Sequence, residues 1–224
     1  MLADALQTLL QRLDNAARAA GRPAPGLLAV SKRQAATAIA ELHAAGQRSF
    51  GENYVQEALG KQRALADLDI EWHLIGHLQS NKAREAAAAF DWVQTVDRAR
   101  LVAALDRHRP PGRPPLNVLI QVNVDDEASK HGCRPDEVPA LAATIAAAPR
   151  LRLRGLMAIP APFPDMQRRR EAFRRMRGLF EDLRAAHPQA DTLSMGMSED
   201  AELAVAEGAT LVRIGTALFG ARPR

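Results

Sequence analysis

The chain has 224 residues and 24.3 kDa, with 30 basic against 26 acidic side chains, a formal net charge of +4, 47% hydrophobic and 25% charged residues. This composition excludes disorder and collagen-like repeats, and no run approaches the ~18 to 20 consecutive apolar residues that a membrane helix needs. Asp4 and Asp14 stand where a signal peptide would be apolar, so a cytoplasmic protein with no membrane partner is expected.

The chain opens on an amphipathic helix, with Leu2, Leu6, Leu9, Leu10 and Leu13 on one face. Strand-length apolar runs follow at 27–31, 48–51, 71–76, 91–96, 115–122, 151–158, 192–196 and 211–215. Between them lie segments rich in strong helix formers, several ending at Gly or running into Pro. Eight βα units in about 200 residues predict an α/β fold: one (β/α)8 TIM barrel over residues 1–224, with an extra N-terminal helix. An open doubly wound sheet would carry a G-x-G-x-x-G turn after the first strand, where this chain has SKRQAAT. The segment holding Arg168, Arg169, Arg170, Arg174, Arg175, Arg177 and Arg184 has Met166, Phe173, Met176, Phe180 and Leu183 as an apolar face. Glu171, Glu181 and Asp182 interrupt its charge, so it reads as an outer barrel helix, and no nucleic-acid partner is expected.

Active sites of such barrels form at the C-terminal ends of the strands. Only four of the basic residues are lysine (Lys32, Lys61, Lys82 and Lys130), and the first strand runs straight into Lys32. The other three stand in polar helical or loop contexts. A low-dielectric neighbourhood disfavours the ammonium form and exposes an amine able to form a Schiff base; the plainer reading is a lysine that snorkels into water. The segment SMGMSED turns from the seventh strand into a helix, with Ser198 as the expected N-cap. The eighth strand ends at Gly215, which permits close backbone approach, followed by the hydroxyl of Thr216. Together these are the two halves of a barrel phosphate site. Arg213 shares its side-chain direction with Gly215 and should face the interior, where it needs a phosphate, a carboxylate or an unprotonated ring nitrogen as acceptor. Asn53, His77, Asn123 and Met157 are further expected rim residues. A lysine, a phosphate cradle and a buried arginine on one rim describe a pocket for pyridoxal 5'-phosphate (PLP). His73 and His77 are four apart, a spacing that does not converge on a strand, so no metal site is expected. Cys133, the single cysteine, reads as an inert thiol.

Through LLAVSK, FGENYVQE, WHLIGHLQSNK, VNVDDEASKHG, GLMAIP and SMGMSEDAELAVAEGATLVRIGTALFG, about residues 27–222, the sequence resembles the PLP homeostasis proteins. That family is related in fold to the alanine racemase barrel, the type III PLP fold, without the racemase's C-terminal β domain. The resemblance implies that Lys32 carries PLP as a covalent aldimine and that Ser198, Gly215 and Thr216, with Met197 nearby, hold the phosphate. It places Arg213 at the pyridine nitrogen and Asn53 beside the ring. His77 departs from the family, which usually has Pro or another residue there.

An always-charged donor at the ring nitrogen keeps that nitrogen unprotonated, which makes it a poor electron sink. The related racemase also uses a tyrosine from an additional domain and partner subunit, whereas Tyr54 is this chain's one tyrosine and the barrel accounts for almost all of its length. The likeness therefore implies a monomeric PLP carrier in vitamin B6 homeostasis, with little or no turnover and PLP-requiring apo-enzymes as recipients. Two enzyme readings compete: a low-activity amino-acid racemase, which would exchange the α-proton, and a Schiff-base aldolase, which would bind no chromophore.

Overall fold

The computed structural model describes residues 1–125, 131–161 and 163–220. The elements run α1 (Leu2–Ala19), β1 (Gly26–Val30), α2 (Ala36–Ala44), β2 (Ser49–Glu52), α3 (Val55–Ala64), β3 (Glu71–Leu74), α4 (Ala83–Ala89) and β4 (Trp92–Val96). They continue with α5 (Ala99–His108), β5 (Leu116–Gln121), α6 (Val138–Ala146), β6 (Leu151–Met157), α7 (Met166–Ala186), β7 (Thr192–Ser194), α8 (Ala201–Ala206), β8 (Leu211–Ile214) and α9 (Thr216–Phe219). All eight strands are parallel and follow one another in chain order. Pairing of β1 with β8, from Gly26↔Leu211 to Ala29↔Ile214, closes the barrel, which rules out the open sheet. The fold is the expected (β/α)8 barrel. Its strands read as continuous apolar runs because both faces are covered, by the barrel interior and by the helices.

Two helices differ in detail from the sequence reading. In α1, Leu6, Leu9, Leu13 and Ala17 are buried, but Leu10 lies at the edge of that stripe and is 43% exposed. In α7, Phe173, Met176, Phe180 and Leu183 face the core with Ala172, whereas Met166, in the first turn, is half exposed. Three of the α7 arginines share one anion. The buried carboxylate of Glu207 takes Arg174 at 3.1 Å and Arg170 at 3.5 Å, with Arg177 at 3.9 Å, tying α7 to the end of α8. Among the described residues, no helix is long and apolar enough to cross a membrane.

The loops at the C-terminal rim are set by two glycines. A Cβ on Gly76 would stand 2.0 Å from the Asn53 carbonyl oxygen, so only glycine lets the segments after β2 and β3 touch. Gly196 has φ +90°, and its Cβ would meet Ala204 at 2.5 Å, which seats α8 directly under the β7 loop.

Candidate functional site

A cavity of about 360 Å³ opens at the C-terminal end of the strands, and Lys32, Asn53, Met197, Ser198, Arg213, Gly215 and Thr216 all line it. The structure thus brings together all seven residues singled out as a cofactor site. Arg169, Glu199 and Asp200 also reach this cavity and were missed by the sequence reading. Its ionic lining is three cations, Lys32, Arg169 and Arg213, against these two carboxylates.

Lys32 stands in the turn after β1, half buried, and Arg33 beside it adopts φ 62°, a left-handed conformation uncommon outside glycine. The turn is braced from beneath. The Ser31 N–H donates to the Gly51 carbonyl at 3.0 Å, and its hydroxyl donates to Glu52 Oε1 at 2.5 Å. Lys61 Nζ donates to the Ser31 carbonyl, Glu52 Oε1 and Glu57 Oε1, each at 2.7 Å, and Glu57 accepts the Arg33 N–H. Lys61 stands on a helix among polar groups, as its segment suggested, and is in addition a buried strut of the lysine turn. Burial pushes the Glu52 carboxyl up, with Lys61 and Ser31 pulling it back, and Glu52 Oε2 is buried without a hydrogen-bond partner among the described residues.

Arg213 points into the barrel as strand alternation predicts and is 4% exposed. Its Nη2 donates to the Ala158 carbonyl and its Nη1 to Ser194 Oγ, both at 2.8 Å. From Ser194 a chain of hydrogen bonds crosses the interior. Ser194 Oγ donates to Gln94 Oε1 at 2.7 Å, Gln94 Nε2 donates to His73 Nδ1 at 2.9 Å, and His73 Nε2 donates to Glu71 Oε1 at 2.8 Å. Every donor faces the same way, from the guanidinium to the carboxylate, and the His73 tautomer is assigned by its two neighbours. Burial pulls the Arg213 guanidinium down to about 10, so it stays charged at neutral pH. A buried cation on neutral acceptors at a cavity wall is suited to an electron-rich ligand atom.

The phosphate side of the cavity is arranged differently from expectation. Ser198 does not cap α8; Asp200 is the N-cap residue, and its Oδ1 accepts the Met197 N–H at 2.7 Å. The helix begins only at Ala201, and Asp200 stands at its N-cap without a side-chain hydrogen bond into its first turn, its carboxylate being turned back to the β7 loop. Ser198 Oγ instead accepts from the Ala217 N–H at 3.4 Å, joining the β7 and β8 loops. Ser198 is half buried and Thr216 exposed.

The other expected rim residues do not line this cavity. Met157, the last residue of β6, is fully buried against Trp92 and Leu119. Asn123 donates its N–H to the Cys133 carbonyl and does not line this cavity. Burial pushes the Cys133 thiol up to about 12, which keeps it unreactive. His77 lines a neighbouring cavity of about 480 Å³ with Asn53 and Tyr54. Lys130 and the DEAS residues before it fall outside the described residues.

A barrel with a lysine, a buried arginine and two facing loops at one mouth matches a known class: the family model described as alanine racemase, N-terminal domain, fits residues 5–223. A pyridoxal phosphate homeostasis protein of Pseudomonas aeruginosa is 56% identical over 223 residues, 99% of this chain and 96% of the relative. This chain belongs to the pyridoxal phosphate homeostasis protein family. PipY of Synechococcus elongatus, solved without PLP, superposes with a TM-score of 0.89 at 41% identity, covering 98% of this chain and all of that one. The same protein solved with PLP bound gives 0.81 over the same shares. Alanine racemase from Corynebacterium glutamicum shares the fold, with a TM-score of 0.72 at 19% identity over 99% of this chain and 62% of the racemase.

Proposed function

We propose that this chain binds PLP in the 360 Å³ cavity, as a Schiff base on Lys32, and serves intracellular PLP homeostasis as a carrier with little or no turnover. The observation that carries this reading is the meeting of the Lys32 amine and the buried, neutrally paired Arg213 in one cavity. The residues fit the cofactor. Lys32 supplies the amine for its aldehyde, Ser198 and Thr216 supply hydroxyls for its phosphate, and Arg213 supplies a fixed donor for its ring nitrogen. When bound, PLP supplies an electrophilic aldehyde and an electron-accepting ring. Arg213 weakens the second property, since a guanidinium donates to the ring nitrogen and does not protonate it. Tyr54 is 60% exposed and lines the neighbouring cavity, which disfavours it as a second proton-transfer group for racemisation.

The test is PLP titration followed by absorbance in the wild type and Lys32→Ala, with solvent deuterium exchange of amino-acid α-protons measured alongside. The wild type should take up one PLP with a visible imine band. Lys32→Ala should lose the band and keep weaker, phosphate-held binding, and α-exchange should stay at the level of free PLP. An unchanged band in Lys32→Ala would overturn the attachment, and α-exchange far above free PLP would replace carrier with catalyst.

A further inference from the structure

Three side chains from separate parts of the fold converge on the rim. His77 follows β3, Asp97 follows β4, and His131 lies just before the bridge between Cys133 and Val122. One ligand atom from each lies within 4.8 Å of the other two. The imidazoles of His77 and His131 stack with centroids 3.7 Å apart and planes 15° from parallel.

The backbones beneath these side chains are tied down. Thr95 Oγ1 donates to the Gly76 carbonyl at 2.9 Å and Arg98 Nη2 to the Leu78 carbonyl at 3.0 Å, fixing both flanks of His77. Gln121 Nε2 donates to the His131 carbonyl at 3.1 Å, and the Cys133 N–H to the Gln121 carbonyl at 2.9 Å. Asp97 follows directly on Val96, the last residue of β4, with a side chain only 11% exposed. Both histidines are exposed, so their rings have room to turn.

We propose that His77, Asp97 and His131 form a binding site for one divalent transition-metal ion of the Zn²⁺ class. Two imidazoles and a carboxylate are a borderline donor set, unlike the all-oxygen sets of Ca²⁺ and Mg²⁺. With bonds of about 2.0–2.1 Å, tetrahedral donors stand about 3.3 Å apart, so the present atoms close by at most about 1.5 Å. The rings also swing out of their stack, because parallel imidazoles do not aim their lone pairs at one point. Arg98 occupies Asp97 Oδ1, and the carboxylate has a second oxygen for the metal. Three protein ligands leave a fourth position for water or another ligand. His73, the histidine first weighed as a partner for His77, is engaged by Glu71 and Gln94 instead. The three residues are separate from those proposed to hold PLP, and the inference does not depend on that reading.

The test is titration of metal-free protein with Zn²⁺ in competition with a chromophoric chelator. One ion should bind per chain, His77→Ala and His131→Ala should each weaken uptake roughly tenfold or more, and Asp97→Asn should weaken it too. His43→Ala, distant in sequence and outside the cluster, should bind as the wild type does. Lys32→Ala should also take up Zn²⁺ as the wild type does, which separates this site from the PLP site. Co²⁺ should give the visible band of a tetrahedral site, absent in the double histidine variant. Uptake well below one ion per chain, or uptake unchanged when both histidines are removed, overturns the proposal.

Discussion

Arg213 is one end of a charge-to-charge line whose other end is Glu71, with Ser194, Gln94 and His73 between them. Replacing the middle member by an apolar residue orphans groups on both sides. Gln94→Leu should cost about 1 to 3 kcal/mol of stability, read from the urea midpoint, since it leaves Ser194 Oγ and His73 Nδ1 without their partner. An unchanged midpoint would show that the line carries no net stabilisation. The cradle hydroxyls should matter less than fully buried ones. With Ser198 half buried and Thr216 exposed, Ser198→Ala and Thr216→Ala should each weaken PLP binding by about 1 kcal/mol, roughly fivefold, in a fluorescence titration. Unaltered affinity in both variants would remove them from the phosphate site. Lys32 and Arg213 were legible because a strand end and strand alternation fix their direction. The line behind Arg213 was not, since Ser194 and Gln94 are 100 positions apart and meet only when the barrel closes. The cap at Ser198 failed for a local reason: α8 starts later, at Ala201, and the Ser198 hydroxyl is taken by the Ala217 N–H beyond β8.

At the scale of elements, the strands were read closely because a parallel barrel strand is an uninterrupted apolar run, bounded by polar turns. Their ends were less exact, as with β7, which stops at Ser194 where the apolar run continues to Gly196. Contacts between consecutive units were the hidden part. Lys61 on α3 reaches back to the ends of β1 and β2, and only its pairing with Glu57, one helical turn earlier, has a sequence signature. Lys61→Met should destabilise the fold by about 3 kcal/mol or more, because it leaves the Glu52 carboxylate buried without its cation. The pair Lys61→Met with Glu52→Gln should recover part of that loss in the same urea experiment. A single variant as stable as the wild type would contradict the strut.

For the whole molecule, the shifted groups set how stability depends on pH. His73 is held neutral by burial, so the unfolded chain takes up a proton below about pH 6.5 that the folded chain refuses. The hydrogen bond from His73 holds the Glu71 carboxyl at about 2, so its stabilisation is complete above its ordinary value of 4.5 and is lost as pH falls toward 2. Glu57 and Asp191 are shifted down as well and act with the same sign, while Glu52, shifted up, opposes them. The urea midpoint should therefore fall steadily from pH 7 to pH 3, and a midpoint independent of pH would contradict these assignments. The most direct test of the PLP-carrier account is borohydride reduction of the PLP-loaded protein followed by peptide mass mapping, which only four lysines make unambiguous. The account predicts one phosphopyridoxyl group per chain, on the peptide carrying Lys32. A label on Lys61, Lys82 or Lys130, or a protein that takes up no added PLP, would contradict it.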